Sequence, residues 1–174
     1  MGNEVALAKE ILLDGFGRVN EGVADVIAGL SADDLLWRPE AKANSIGWLA
    51  WHLTRQQDVQ LAQIAGVQQV WLSQTWYEKF ALPYDKDAMG YGQTAADVGR
   101  FTITEPELLV DYQEATYAMT KQLLDRLGAA DYERVIDENW DPPVTVAVRV
   151  YSVLDDCVKH LGQAEYLKGM LAAR

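Results

Sequence analysis

Asp156 and His160 stand four residues apart in the stretch YSVLDDCVKHLGQAEYLKGM, residues 151–170. On a helix they lie about 40° apart in projection and one turn apart along the axis. Asp155 would lie about 140° from His160, so Asp156 is the better partner. Asp155 is then expected to face solvent or to cap neighbouring structure. A carboxylate and an imidazole at this spacing offer two ligands to one metal ion. They equally form an ordinary helix ion pair. A third ligand has to come from elsewhere, and the chain holds one other histidine, His52, in NSIGWLAWHLTRQQD. On a helix His52 shares a face with Trp48 and Gln56, with Leu49 and Leu53 nearby, and so points inward. Both histidines fall on the core sides of long helices, where an unpaired polar group is costly. Spacing leaves two readings open: hydrogen-bonded core polar groups, or a metal site.

Four long segments with helical periodicity have to position these residues, over about 4–29, 44–66, 104–128 and 148–172. In the first, Val5, Leu7, Ile11, Leu12, Phe16, Val19, Val23, Val26 and Ile27 form an apolar stripe. Ser31 and Asp34 suit a short capped turn before Pro39. Asn44 or Ser45 suits the second N-cap, and Gly66 its end. Residues 67–103 form a long aromatic-rich connection with a short helix near 94–99. Thr104 and Glu107 read as a capping box for the third helix, with Pro106 in its first turn and Gly128 beyond its end. The segment VTVAVRV before the fourth helix also reads as a short strand, being rich in β-branched residues. The expectation is an all-α, single-domain four-helix bundle over 1–174 with two long connections.

At 174 residues the chain is long enough to bury a substantial core, and 49% hydrophobic with 24% charged is ordinary globular composition. A net charge of −11 disfavours nucleic acid and anionic membrane surfaces as partners. The single cysteine, Cys157, permits no intramolecular disulfide and fits a reducing cytoplasm. No basic, long-apolar leader opens the sequence, and no apolar run is long enough to span a bilayer. A Gly-rich phosphate loop and a G-x-S-x-G elbow are both absent, so nucleotide-driven and serine-based chemistry lack support.

The phrases LLWRPEAKANSIGWLAWHLTRQQD and WDPPVTVAVRVYSVLDDCVKHLGQAEYLKGM, with the order of helices, resemble the DinB-like superfamily of metalloenzymes over nearly the whole chain. The resemblance is to the branch that includes mycothiol-dependent maleylpyruvate isomerase and related mycothiol S-transferases. It implies a four-helix bundle with a divalent metal held by one residue of the second long helix and two of the fourth. Carried over, those positions are His52, Asp156 and His160. Many members have three histidines. Asp156 stands where those have His, which resembles the carboxylate-containing sites of the mycothiol-dependent branch.

Two imidazoles and one carboxylate with further positions open describe a catalytic rather than a structural site. Zinc is expected first and nickel next, and the same ligands accept Mn²⁺ or Fe²⁺. That ligand set leaves a divalent ion with a net charge of about +1. A thiol bound there is deprotonated near neutral pH and becomes a nucleophile. The resemblance implies that the thiol is mycothiol or similar and that its target is a small electrophile. Arg149 lies two turns before Asp156, about 20° off its face, and is a candidate for meeting an anionic substrate. Gln163 is a candidate for supporting His160 or lining a pocket. Trp48, Trp76, Tyr77 and Tyr166 are cleft candidates or simply core. Cys157 reads as a small core residue. The competing reading is a non-catalytic, stress-related metal-binding bundle that serves as a homodimer scaffold.

Overall fold

The computed structural model describes residues 2–174, with side chains from residue 4 onward. Four long helices dominate: α1 (Gly2–Ile27), α3 (Ile46–Ala65), α7 (Glu107–Arg126) and α9 (Val146–Ala172). Helix α3 packs on α9 and α7, and α1 packs on α7 and α9, which closes a four-helix bundle. Short helices fill the connections: α2 (Ala32–Leu36), α4 (Val70–Ser73), α5 (Trp76–Phe80), α6 (Ala95–Val98) and α8 (Ala129–Glu133). Strands β1 (Val135–Asp137) and β2 (Val144–Thr145) pair antiparallel, with an irregularity in register between Val135 and Asp137.

Local chemistry explains most boundaries. Ser31 and Asp34 form the expected capping box of α2. Ser45, rather than Asn44, caps α3 by accepting the Trp48 N–H. Gly66 ends α3 in the left-handed conformation, φ 67°, that favours glycine. Thr94 and Asp97 cap α6 within the long aromatic connection. Thr145 ends β2 and accepts the Val148 N–H, so VTVAVRV divides into two strand residues and the first turn of α9.

Two expectations are corrected. Thr104 does not cap α7; that helix starts at Glu107, with Pro106 at the cap position and no side-chain cap bond. The reason is Glu105, which precedes a proline and is disfavoured in helical geometry, so the helix cannot start there. The apolar stripe of α1 is buried only in its second half, from Phe16 to Ile27, whereas Leu7 is 58% and Ile11 62% exposed. The core sits among Phe16, Val19 and Val23 of α1, Trp51 and Leu53 of α3, Tyr112 and Leu124 of α7, and Val150, Val153 and Cys157 of α9. Among the described residues no helix is long and apolar enough to cross a membrane.

Candidate metal centre

Helix α3 brings His52 to α9, where Asp156 and His160 occupy successive turns. One ligand-type atom from each of the three lies within 4.8 Å of the others. The imidazole rings of His52 and His160 meet edge to face at 4.9 Å, and His160 Nε2 is 3.6 Å from Asp156 Oδ1. An ion about 2.0–2.2 Å from each donor needs donor separations below about 4.4 Å, within reach of small side-chain rotations.

The hydrogen bonds around the triad prepare its donors. His52 Nδ1 lies 2.5 Å from the Met89 carbonyl oxygen. A carbonyl only accepts, so Nδ1 carries the proton and Nε2 keeps its lone pair. His160 Nδ1 donates to Gln163 Oε1 at 3.1 Å, which again leaves Nε2 as the free donor atom. Burial pushes the His52 pKa below its ordinary value, and His160 adds to this; the Met89 bond and Asp156 oppose it. His52 is therefore neutral near pH 7, as a metal ligand must be. Asp156 Oδ2 is shielded from solvent and has no hydrogen-bond partner among the described residues, while the side chain as a whole is 41% exposed. A shielded carboxylate oxygen without a partner is costly unless a cation meets it. The donor set and this orphaned oxygen both fit a divalent metal.

A segment of the long connection closes over His52. Trp48 stacks on the His52 ring at 4.7 Å and donates from Nε1 to Gln93 Oε1 at 2.8 Å. Arg55 Nε donates to the Ala88 carbonyl at 3.1 Å, and Trp71 Nε1 to the Lys86 carbonyl at 2.8 Å. Gly90 has φ +91°, and a Cβ there would lie 2.5 Å from His52 Nδ1 and 3.0 Å from Trp48 Cζ2. Only glycine lets the backbone approach the His52 ring this closely.

The sequence-predicted substrate residues separate. Gln163 and Tyr166 line one groove of about 210 Å³ with Asn44 and Leu49; no triad residue lines it, and the Gln163 hydrogen bond links it to His160. Trp48 is buried against His52 instead of lining that groove. Arg149 lies about 10 Å along α9 from Asp156. Its guanidinium is committed to Gln60 at 2.8 Å and Asp137 at 3.3 Å. Trp76 belongs to the core beside Tyr112, and Tyr77 lines a separate cavity with Trp51 and Trp71. Asp155 pairs with Lys159 on the outer face. The Cys157 thiol is fully buried against the Leu53 carbonyl, and burial pushes its pKa far up, which disqualifies it as a nucleophile. A larger apolar groove of about 480 Å³, lined by Val5, Ile11, Leu12 and Tyr132, contains none of the triad.

Sequence reasoning missed a buried polar cluster below the site. Arg55, Asp58 and Tyr112 are fully buried. Tyr112 donates to Asp58 Oδ2 at 2.8 Å, Arg55 Nη1 donates to the Tyr112 hydroxyl at 3.2 Å, and Asp58 accepts the N–H groups of Val70 and Trp71. The available signal was a pair of opposite charges three residues apart, Arg55 and Asp58, inside an otherwise inward-facing turn.

A four-helix bundle with imidazole and carboxylate donors converging from facing helices is a known way to build a metal site in a core. The DinB superfamily model matches residues 16–164, and the chain belongs to that superfamily. It is similar to the crystal structure of a conserved protein from Enterococcus faecalis, with 33% identity and a TM-score of 0.89 over 95% of this chain and 97% of that one. Comparison with curated proteins finds no match.

Proposed function

We propose that this protein is a metal-dependent thiol S-transferase or isomerase. In this reading His52, Asp156 and His160 hold one divalent ion, zinc first and nickel next. The co-substrate is a low-molecular-weight thiol of the mycothiol type, and its target is a small electrophile. The carrying observation is the meeting of three ligand atoms within 4.8 Å, one side chain of which keeps a shielded, partnerless oxygen. The ion supplies Lewis acidity that converts a thiol to thiolate near neutral pH. The Met89 carbonyl and Gln163 hold the two imidazoles with Nε2 free. Trp48 and Gly90 cover His52 and keep water from its buried side. The groove of Asn44, Leu49, Gln163 and Tyr166, linked to His160 by the Gln163 hydrogen bond, takes the body of the thiol or the electrophile. A reducing cytoplasm is the matching compartment, with the lone thiol of the chain buried.

The test is elemental analysis of protein purified without added metal, followed by mycothiol, bacillithiol and glutathione against a panel of electrophiles. Metal-dependent consumption of one thiol supports the proposal. Metal without turnover for every pair favours the non-catalytic binding protein, and absence of metal removes the site altogether.

A further inference from the structure

We propose that Gln56 provides, beside the triad, a hydrogen-bond donor for the oxygen of a small carboxylate ligand, and that Arg149 fixes this donor through Gln60; the inference rests on the metal-bound state proposed above. A guanidinium only donates, so Arg149 Nη1, 2.8 Å from Gln60, obliges that side chain to present Oε1. The Gln60 amide nitrogen is thereby turned toward Gln56 and donates to its Oε1 at 3.0 Å. With its oxygen engaged, Gln56 offers only N–H groups, and its Nε2 has no protein partner among the described residues. The orientation of both amides follows from the charge of Arg149, which Asp137 anchors at the far end.

Three features aim this donor at the site. Gln56 follows His52 by one turn of α3, about 40° around the axis. Helical side chains tilt toward the N-terminus, which carries the Gln56 amide back toward His52. Cys157 Sγ approaches the Leu53 carbonyl at 3.6 Å, which places the Asp156 turn of α9 against this same turn of α3. Gln56 is only 6% exposed, so little bulk water competes for its N–H groups. An N–H donor of this kind disfavours a second cation and pairs with an oxygen acceptor, most strongly with an anionic one. Alignment of two amides behind it, with a full positive charge at the end, strengthens the donor.

The probe is acetate, titrated into the cobalt-loaded protein and read from the visible d–d bands. The parent is expected to bind acetate, and Gln56→Leu to bind it about tenfold more weakly, the loss of one hydrogen bond to a charged group. Cobalt affinity is expected to stay at the parent's value. Arg149→Leu frees both amides to flip and is expected to weaken acetate by a smaller factor. Should circular dichroism show that Gln56→Leu disturbs the fold, Gln56→Met repeats the test without a donor and without a new charge. Equal acetate affinity in parent and folded Gln56 variant overturns the proposal, as does a loaded parent that binds no acetate. A parent that takes up no cobalt overturns the metal-bound state itself, and with it the role of Gln56.

Discussion

Gly90→Ala adds one methyl group at the tightest point of the site. The new Cβ would sit 2.5 Å from His52 Nδ1 and 3.0 Å from Trp48 Cζ2, against ring atoms that are stacked and hydrogen-bonded. The backbone also has φ +91°, which costs an L-residue about 1–2 kcal/mol. Relieving the contact by moving His52 breaks its bond to the Met89 carbonyl, for about 1 kcal/mol more. The expected loss of stability is therefore about 2–3 kcal/mol, read from urea unfolding of the metal-free chain. His52 also loses the contact that turns Nε2 toward Asp156 and His160. Zinc affinity measured by competition with a chromophoric chelator is expected to fall about tenfold or more, because restoring the ring costs the bound state at least about 1.4 kcal/mol. Parental stability together with parental zinc affinity would refute the role assigned to the 86–93 segment.

Other outcomes test the surroundings of the triad. Asp58→Ala leaves Arg55 as a fully buried cation without its carboxylate and is expected to cost about 3–5 kcal/mol in chemical denaturation. Burial lowers the His52 pKa from 6.5 in the metal-free fold, so the unfolded chain binds the extra proton more readily. Its contribution to stability is complete above about pH 6.5 and is lost as the pH falls below that value toward the folded pKa. A His52→Gln variant should show a flatter fall in urea midpoint between about pH 8 and 5, and an unchanged slope would contradict this. Asp156→Asn removes the orphaned anionic oxygen and should weaken zinc by more than the roughly 10–100-fold typical of losing a supporting partner, with helicity unchanged by circular dichroism.

The four long helices were legible because their apolar residues recur at helical spacing, and the bounds of α3 because Ser45 and Gly66 carry their own capping chemistry. Thr104 misled because the capping-box pattern ignores the restriction that Pro106 places on Glu105. Leu7 and Ile11 misled because periodicity shows a stripe but not how far along it another helix reaches. Asp156 and His160 were legible as a pair from one turn of one helix, and His52 as the remaining histidine. The Met89 carbonyl, Gly90 and Tyr112 were not, since each meets α3 from more than 30 residues away through loop or interhelix geometry. The Arg55 and Asp58 charges are visible in the sequence, but their partners Trp71 and Tyr112 reach them only through the fold.

Calorimetric titration of zinc into chelator-treated protein tests the metal triad most directly. The parent is expected to bind one ion per chain, and His52→Ala to lose that binding while keeping its helicity. A parent that binds no zinc, or a His52→Ala variant that binds it with parental affinity and stoichiometry, would contradict the assignment of His52, Asp156 and His160 as one site.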